Sequence, residues 1–214
     1  MKQMIFGLGT GRCGTVSLKE LLGLQNGFTA THEVVISPWQ FSKAHIDTTI
    51  VSMQNRPVGS TACDVSFWHL PYVLYILDKH PNSKFVCLKR DMQSTVNSYM
   101  KKTGPNVAAK LKARNHWTAR DSIYWDNRLW RLDPIYDICY PKYNLPKVDA
   151  ITQYWLDYYA LAEEYAAAFK DNFILFKTED VLNDKEVQSN LLAFLDVPLA
   201  NRTINTNINE NRGV

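Results

Sequence analysis

The chain has 214 residues, of which 46% are hydrophobic and 21% are charged. These values are those of an ordinary globular domain with a full hydrophobic core, and they exclude a disordered chain. The formal net charge of +3 is too small to imply a nucleic-acid partner by itself, although it suits an anionic ligand.

The start of the chain predicts a strand, a tight loop and a helix. Apolar residues at positions 4–6 and 8 indicate a buried strand, glycines at positions 7, 9, 11 and 14 break the run, and helical spacing resumes at Val16. Such a loop lets backbone N–H groups approach a ligand, and the helix N-terminus adds its positive dipole end. Arg12 contributes forked donors, and Thr15 and Ser17 contribute hydroxyls at the first helical turn. This stretch therefore predicts an anion site.

Other interpretations of the same loop stay open. Gly9 to Gly14 satisfies the dinucleotide fingerprint, with Glu33 near the place of its ribose-binding acid, so an oxidoreductase is one alternative. The glycines also have Walker A spacing, but Thr15 stands where that loop needs Lys, which argues against a kinase or NTPase. The plainest alternative is a turn that uses glycine only for backbone freedom.

The second predicted strand covers residues 28–35 and carries His32 and Glu33 toward its end. Because ligands bind outside the carboxyl ends of parallel strands, these two residues are candidates for proton transfer. The alternative is a surface acid beside a half-buried histidine. A third strand is predicted over 60–65, and a packing helix over 68–77 with Pro71 in its first turn.

The fourth predicted strand, over residues 84–89, ends in Arg90 and Asp91. Asp91 is a good helix cap, and an apolar stripe from Met92 onward predicts the helix that follows. Arg90 at the strand end and Ser98 two turns into this helix can face one point in space. The pair predicts a second anion site beside the first.

Several site classes receive no support from the sequence. The four cysteines and five histidines show neither a metal-ligand spacing nor a disulfide framework, so we predict no metal. No charged start followed by an apolar signal core is visible, and no apolar run is long enough for a membrane span. We therefore expect a cytoplasmic protein in a reducing compartment.

With two predicted anion sites at strand ends, this sequence resembles the sulfotransferase family. The donor of that family is 3′-phosphoadenosine 5′-phosphosulfate (PAPS). In that family a strand, an Arg/Lys-Ser-Gly-Thr loop and a helix bind the 5′-phosphosulfate, and Arg12 to Thr15 match this loop. A second strand ending in Arg-Asp, with a Ser eight positions after the Arg, binds the 3′-phosphate, and Arg90 and Ser98 match it. The resemblance continues through residues 154–159, 173–182 and 191–195.

The resemblance implies one α/β domain over residues 1–214, with a mostly parallel sheet flanked by helices and PAPS at the strand carboxyl ends. Cys13 replaces the usual Ser of the loop, and Val16 stands where many members carry a second Thr. The residues implied to bind the donor are Gly11, Arg12, Cys13, Gly14, Thr15, Val16, Ser17, Arg90, Ser98 and Arg212.

The resemblance also implies the catalytic residues. Tyrosylprotein-type members carry their catalytic Glu about twenty residues beyond the loop Arg, which is the place of Glu33 relative to Arg12. Glu33 would then take a proton from an acceptor hydroxyl or amine, while Arg12 stabilises the leaving phosphate. His32 is the other candidate base. The further alternative is a non-catalytic protein that binds the nucleotide without transfer.

Residues 101–148 form an insertion outside the resemblance. They mix basic and aromatic side chains, and prolines make their latter half loop-like. We predict that this segment closes over the donor and shapes the pocket for a small-molecule, saccharide or peptide acceptor. Single-stranded nucleic acid is the alternative ligand for such a mixture, but acidic residues interrupt the basic ones and no nucleic-acid module is present.

Overall fold

The computed structural model describes residues 3–33, 43–57, 59–102 and 145–205. The strands are β1 (Met4–Leu8), β2 (Phe28–His32), β3 (Thr61–Val65), β4 (Lys84–Lys89) and β5 (Phe173–Lys177). The α-helices are α1 (Thr15–Gly23), α2 (Lys43–Gln54), α3 (Val73–Lys79), α4 (Met92–Lys102), α5 (Lys147–Ala168), α6 (Thr178–Asn183) and α7 (Lys185–Phe194). Two 3-10 helices cover Phe67–Tyr72 and Leu199–Asn201. Strands that alternate with helices confirm the predicted α/β class.

The five strands form one sheet in the order β2-β3-β1-β4-β5. Every neighbouring pair is parallel, with Phe6 opposite Asp64 on one side of β1 and opposite Phe85 on the other. The predicted mostly parallel sheet is therefore confirmed. A dinucleotide-binding sheet has β2 beside β1, whereas here β3 occupies that place. The strand order is thus not that of the oxidoreductase alternative.

The sheet is buried on both faces, which explains why its central strands are continuous apolar runs. Side chains alternate along β1, so Met4, Phe6 and Leu8 enter one core while Ile5 enters the other. Residues of α2 to α5 complete the first core, and residues of α1, α6 and α7 complete the second. Apolar side chains therefore cover the sheet on both faces.

The predicted helix over 68–77 forms in two parts, a 3-10 helix that contains Pro71 and then α3. Because proline has no backbone N–H to donate, the regular i to i+4 hydrogen bonds of the α-helix begin only after Pro71. The predicted second strand ends as β2 at His32, and residues 34–42 lie outside the described residues. Within the described ranges, no helix combines the length and apolar character needed to cross a bilayer.

The strand order fixes where a ligand would bind. The chain that leaves β1 crosses by α1 toward β2, while the chain that leaves β4 crosses by α4 and α5 toward β5. These connections diverge in opposite directions and leave a crevice between the carboxyl ends of β1 and β4. Such a switch point is the usual ligand site of an open parallel sheet. The loop before α1 and Arg90 both follow these strand ends.

Candidate functional site

The loop of residues 9–14 has a backbone that requires glycine at three positions, namely 9, 11 and 14. Gly11 has φ 76° and Gly14 has φ 93°, both in the left-handed region. A Cβ atom at Gly11 would lie 2.7 Å from the Tyr99 hydroxyl, and one at Gly14 would lie 2.8 Å from Cγ2 of Thr178. Gly14 is the N-cap of α1 and gives it no side-chain cap. The N-terminal turn of α1 therefore presents its positive dipole end to the crevice.

Tyrosine hydroxyls from α4 and α5 hold this loop. The Thr10 carbonyl accepts hydrogen bonds from the hydroxyls of Tyr99 and Tyr154, the second at 3.0 Å. The Gly9 N–H donates to the Tyr158 hydroxyl at 3.1 Å. Because the Thr10 carbonyl and the Gly9 N–H are bonded to tyrosine hydroxyls, these two backbone groups hold the loop in place and do not bind a ligand. The protein's own groups therefore fix the conformation of the loop.

Cys13, at the position of the family's usual Ser, points into the second core. Burial raises the pKa of its thiol to about 11, so the thiol stays protonated at neutral pH and is no nucleophile. Its backbone carbonyl accepts a hydrogen bond of 2.8 Å from the Thr178 hydroxyl at the start of α6. Cys13 thus anchors the loop to the helix layer behind it.

The two predicted anion sites meet at the crevice. Arg12 Nε donates to Ser98 Oγ at 3.1 Å, and Arg90 Nη1 donates to the Arg12 carbonyl oxygen at 2.9 Å. Asp91 caps α4 by accepting from the Ser94 N–H at 2.8 Å, and this bond lowers the pKa of the Asp91 carboxyl. Arg90 Nε lies 4.0 Å from a carboxylate oxygen of Glu179. Arg12 is therefore bonded to both parts of the second predicted site, to Ser98 through its side chain and to Arg90 through its backbone carbonyl.

A second cluster joins the end of β2 to the start of α1. His32 Nε2 lies 3.1 Å from Thr15 Oγ1 and 3.9 Å from Glu33 Oε1. Glu33 donates its backbone N–H to the Val65 carbonyl at 3.0 Å, and 39% of its side chain is exposed. The structure thus brings both candidate bases beside the first turn of the loop helix.

Backbone strain coincides with these clusters. Among the described residues, the non-glycine residues with positive φ are Arg12 at 55°, Glu33 at 52° and Asp196 at 60°. Such conformations are unfavourable for a residue with a side chain and persist where the surroundings impose them, which is common at functional sites. Two of the three belong to the predicted catalytic set.

Asp64, at the carboxyl end of β3, is satisfied inside the protein. Its carboxylate accepts from Thr31 Oγ1 at 2.7 Å, Ser66 Oγ at 2.9 Å and His69 Nε2 at 2.7 Å. Burial alone would raise the pKa of Asp64, but His69 and the two hydroxyls outweigh burial and lower it. Because Thr31 precedes His32, this buried network orders the strand end that carries the candidate bases.

Some of the remaining predicted site residues lie on the first turn of α1, and others lie outside the described residues. Val16 is 39% exposed on the first turn of α1, whereas Ser17 beside it is buried. Arg212 and most of the predicted insertion lie outside the described residues. No group of three side chains suited to a metal ion occurs in the part of the chain that the structure describes.

Sequence reasoning missed the residues that hold the loop, namely Tyr99, Tyr154, Tyr158 and Thr178. The helical stripe on residues 151–169 predicts that its tyrosines are buried, and Tyr154 and Tyr158 are. Periodicity gives no sign of a hydroxyl partner that lies 144 or 149 residues away. Only the folded structure reveals these contacts.

Comparisons with known proteins agree with this architecture. No protein-family model and no characterised protein sequence matches the chain significantly. A sulfotransferase from Alicyclobacillus acidocaldarius superposes with a TM-score of 0.56 at 15% identity, over 98% of this chain and 89% of that one. The mouse sulfotransferase SULT7A1, solved in complex with PAP, superposes with a TM-score of 0.56 at 14% identity, over 93% of this chain and 60% of the mouse chain. This chain has the sulfotransferase fold.

Proposed function

We propose that the protein transfers a sulfuryl group from PAPS to a hydroxyl or amine of an acceptor. The observation that carries the proposal is the convergence of Arg12, Arg90 and Ser98 on the loop at the sheet's switch point. The fold supports it, since a structural neighbour binds PAP, which in the sulfotransfer reaction is the product adenosine 3′,5′-bisphosphate.

The residues at the crevice fit a donor with two anionic groups. The loop N–H groups and the α1 N-terminus would hold the 5′-phosphosulfate, with the Thr15 hydroxyl beside them. Arg90 and Ser98 would hold the 3′-phosphate. PAPS supplies the activated sulfuryl group. As in phosphoryl transfer, the protein's task is then to position the reactants and neutralise charge that develops on the leaving phosphate.

Glu33 is the proposed general base. Its carboxylate is partly exposed at the end of β2, next to the first turn of α1, so an acceptor can reach it. Its left-handed backbone, tied to β3 by the bond to Val65, holds the side chain at that edge. In this role Glu33 accepts the proton of the acceptor group as that group attacks sulfur in line with the leaving phosphate oxygen. His32, between Glu33 and Thr15, positions the carboxylate.

The test is sulfuryl transfer from labelled PAPS to a panel of phenols, saccharides and tyrosine peptides, followed with the wild type and with Glu33→Gln. General-base catalysis contributes about 10²- to 10⁴-fold, so we expect the variant to lose turnover by that factor. Its affinity for adenosine 3′,5′-bisphosphate should not change, because Glu33 is not assigned to the donor.

Glu20→Gln is the matched control, since Glu20 is an exposed carboxylate on α1 that pairs with Lys19. This control should retain full turnover. Equal turnover in Glu33→Gln and the wild type would remove Glu33 from the mechanism and direct attention to His32. Tight nucleotide binding with no transfer to any acceptor class would favour the non-catalytic alternative.

A further inference from the structure

We infer that Arg56 is a positioning residue that holds the carboxyl end of β2, and with it Glu33, in the conformation that the reaction needs. The inference rests on the proposed function, in which Glu33 is the general base. Arg56 lies just beyond α2, and its side chain is half-buried. It acts on Glu33 through the hydrogen bonds that it makes to β2 and β3.

The end of α2 fixes where Arg56 lies. Ile46, Ile50 and Met53 bury one face of α2 in the first core, and α2 packs on β3. The Arg56 N–H donates to the Met53 carbonyl at 3.4 Å, which ties its backbone to the last turn of the helix. The Arg56 side chain therefore extends from a packed helix end beside the sheet.

The Arg56 guanidinium bonds to β2 and β3 together. Nη1 donates to the Thr29 carbonyl at 2.6 Å and to the Cys63 carbonyl at 3.1 Å, and Nη2 donates to Thr31 Oγ1 at 2.7 Å. β2 lies at the edge of the sheet, and its residues are half-buried, whereas those of β1 are buried. Because β2 has less burial than β1 to hold it, its position depends more on these bonds.

Arg56 also sets the direction of the hydrogen bonds around Asp64. A guanidinium has only donors, so Thr31 Oγ1 accepts from Nη2 and keeps its single proton to donate. The acceptors within reach are Asp64 Oδ1 at 2.7 Å and the Cys63 carbonyl at 3.1 Å. The shorter bond, to the carboxylate, is also of the stronger, charge-assisted class. Thr31 thus links the cation of Arg56 to the buried anion of Asp64.

Glu33 needs this support because its backbone is strained. Its φ of 52° lies in the left-handed region, which a residue with a side chain adopts only where the surroundings impose it. Thr31 precedes it by two residues, and the Glu33 N–H donates to the carbonyl of Val65, the residue after Asp64. Arg56 and Asp64 therefore hold the two strands together directly before the chain turns into Glu33. Without Arg56 the strand end can relax, and Glu33 loses its position.

The first measurement is hydrogen exchange of the Glu33 amide by NMR, which reports how firmly this amide is bonded to Val65. We expect Arg56→Ala to speed the exchange by about tenfold or more, since Arg56 donates charge-assisted hydrogen bonds to both strands. Arg56→Lys keeps the charge without the fork, so its exchange rate should lie between those of the wild type and the alanine variant. The lysine variant also serves if the alanine variant does not fold.

The second measurement is turnover, which separates positioning from a general loss of stability. Arg56→Ala should lower kcat for sulfuryl transfer by about tenfold to a hundredfold and leave the affinity for adenosine 3′,5′-bisphosphate unchanged. In the Glu33→Gln background, Arg56→Ala should have little further effect on kcat, because Arg56 acts through Glu33. A merely structural role would lower kcat by the same factor in both backgrounds.

Arg202→Ala is the matched control, because Arg202 also donates to a backbone carbonyl, that of Val197 at 2.9 Å, and to the Ser189 hydroxyl at 2.8 Å. This control should leave the Glu33 exchange and kcat unchanged. Unchanged Glu33 exchange in both Arg56 variants, or equal losses of kcat in the two backgrounds, would overturn the inference. If the wild type transfers to no acceptor, the proposed function is wrong instead, and faster Glu33 exchange in Arg56→Ala still supports the role of Arg56 in holding β2.

Discussion

The buried carboxylate of Asp64 allows a quantitative test of how the candidate site is held. Asp64 accepts hydrogen bonds from Thr31, Ser66 and His69 at 2.7 to 2.9 Å. Asparagine has nearly the same shape, but it replaces one acceptor oxygen with an NH₂ donor. In Asp64→Asn the new NH₂ group must face either Thr31, whose hydroxyl can also accept, or the pair Ser66 and His69, and in both cases the negative charge that strengthens the three bonds is lost.

The expected magnitude follows from the number of bonds. A hydrogen bond to a charged group contributes about 1.5–3 kcal/mol, and burial makes a lost partner more costly. We expect Asp64→Asn to lower the free energy of unfolding by about 2–4 kcal/mol. For a chain of this size, that corresponds to a fall in melting temperature of roughly 5–15 °C.

The assay is thermal and urea unfolding of the wild type, Asp64→Asn and the control Asp47→Asn. Asp47 is a half-exposed carboxylate that accepts from Tyr75 and pairs with Lys79. A surface pair contributes about 0–1 kcal/mol, so its loss should have little effect. If the two variants were destabilised equally, the buried network would not have the energetic role given to it here.

The pH dependence gives the same test with a defined sign. The pKa of Asp64 is lowered in the folded protein, so the carboxylate stabilises the fold at pH values above its unfolded pKa of about 3.9. This stabilisation is lost as the pH falls through the lower, folded pKa. The stability difference between the wild type and Asp64→Asn should be constant near neutrality and narrow below about pH 4.

Three further predictions concern the loop. Gly14→Ala places a methyl group 2.8 Å from Thr178 in a strained backbone, so we expect calorimetry to show weaker binding of adenosine 3′,5′-bisphosphate. Unchanged binding would contradict the proposal that the loop of residues 9–14 holds the 5′-group. Tyr154→Phe removes a hydroxyl from the Thr10 carbonyl and should raise the KM for PAPS severalfold while far-ultraviolet circular dichroism stays the same. Because burial raises the pKa of Cys13 to about 11, mass spectrometry should find that iodoacetamide at pH 8 modifies Cys13 only after unfolding.

The strands and the loop could be predicted because local signals specify them. The apolar run of residues 4–8, the glycines that follow and the Arg90–Asp91 strand end are all contained within short windows. The class of the sheet then follows from alternation of strands and helices. Each of these features depends on neighbours in the sequence.

What the sequence could not predict depends on contacts between distant segments. The strand order placed β3 rather than β2 beside β1, and no pattern in either strand specifies its neighbour. The hydroxyl of Tyr154 reaches Thr10 across 144 residues, although its helix stripe indicates only burial. The bond from Arg12 to Ser98 likewise joins two sites that the sequence treats as separate. The roles of Glu33 and Arg212, the cytoplasmic location and the closure of residues 101–148 over the site stay predictions.

We propose that the crevice between β1 and β4 binds a nucleotide with phosphates at both the 3′ and 5′ positions. The most direct measurement is a calorimetric titration of the wild type with adenosine 3′,5′-bisphosphate, repeated with adenosine 5′-monophosphate and with NAD as competitors. We expect the bisphosphate to bind much more tightly than either competitor, and this preference to disappear in Arg90→Ala. Tighter binding of NAD, or no binding of any of the three, would contradict the account.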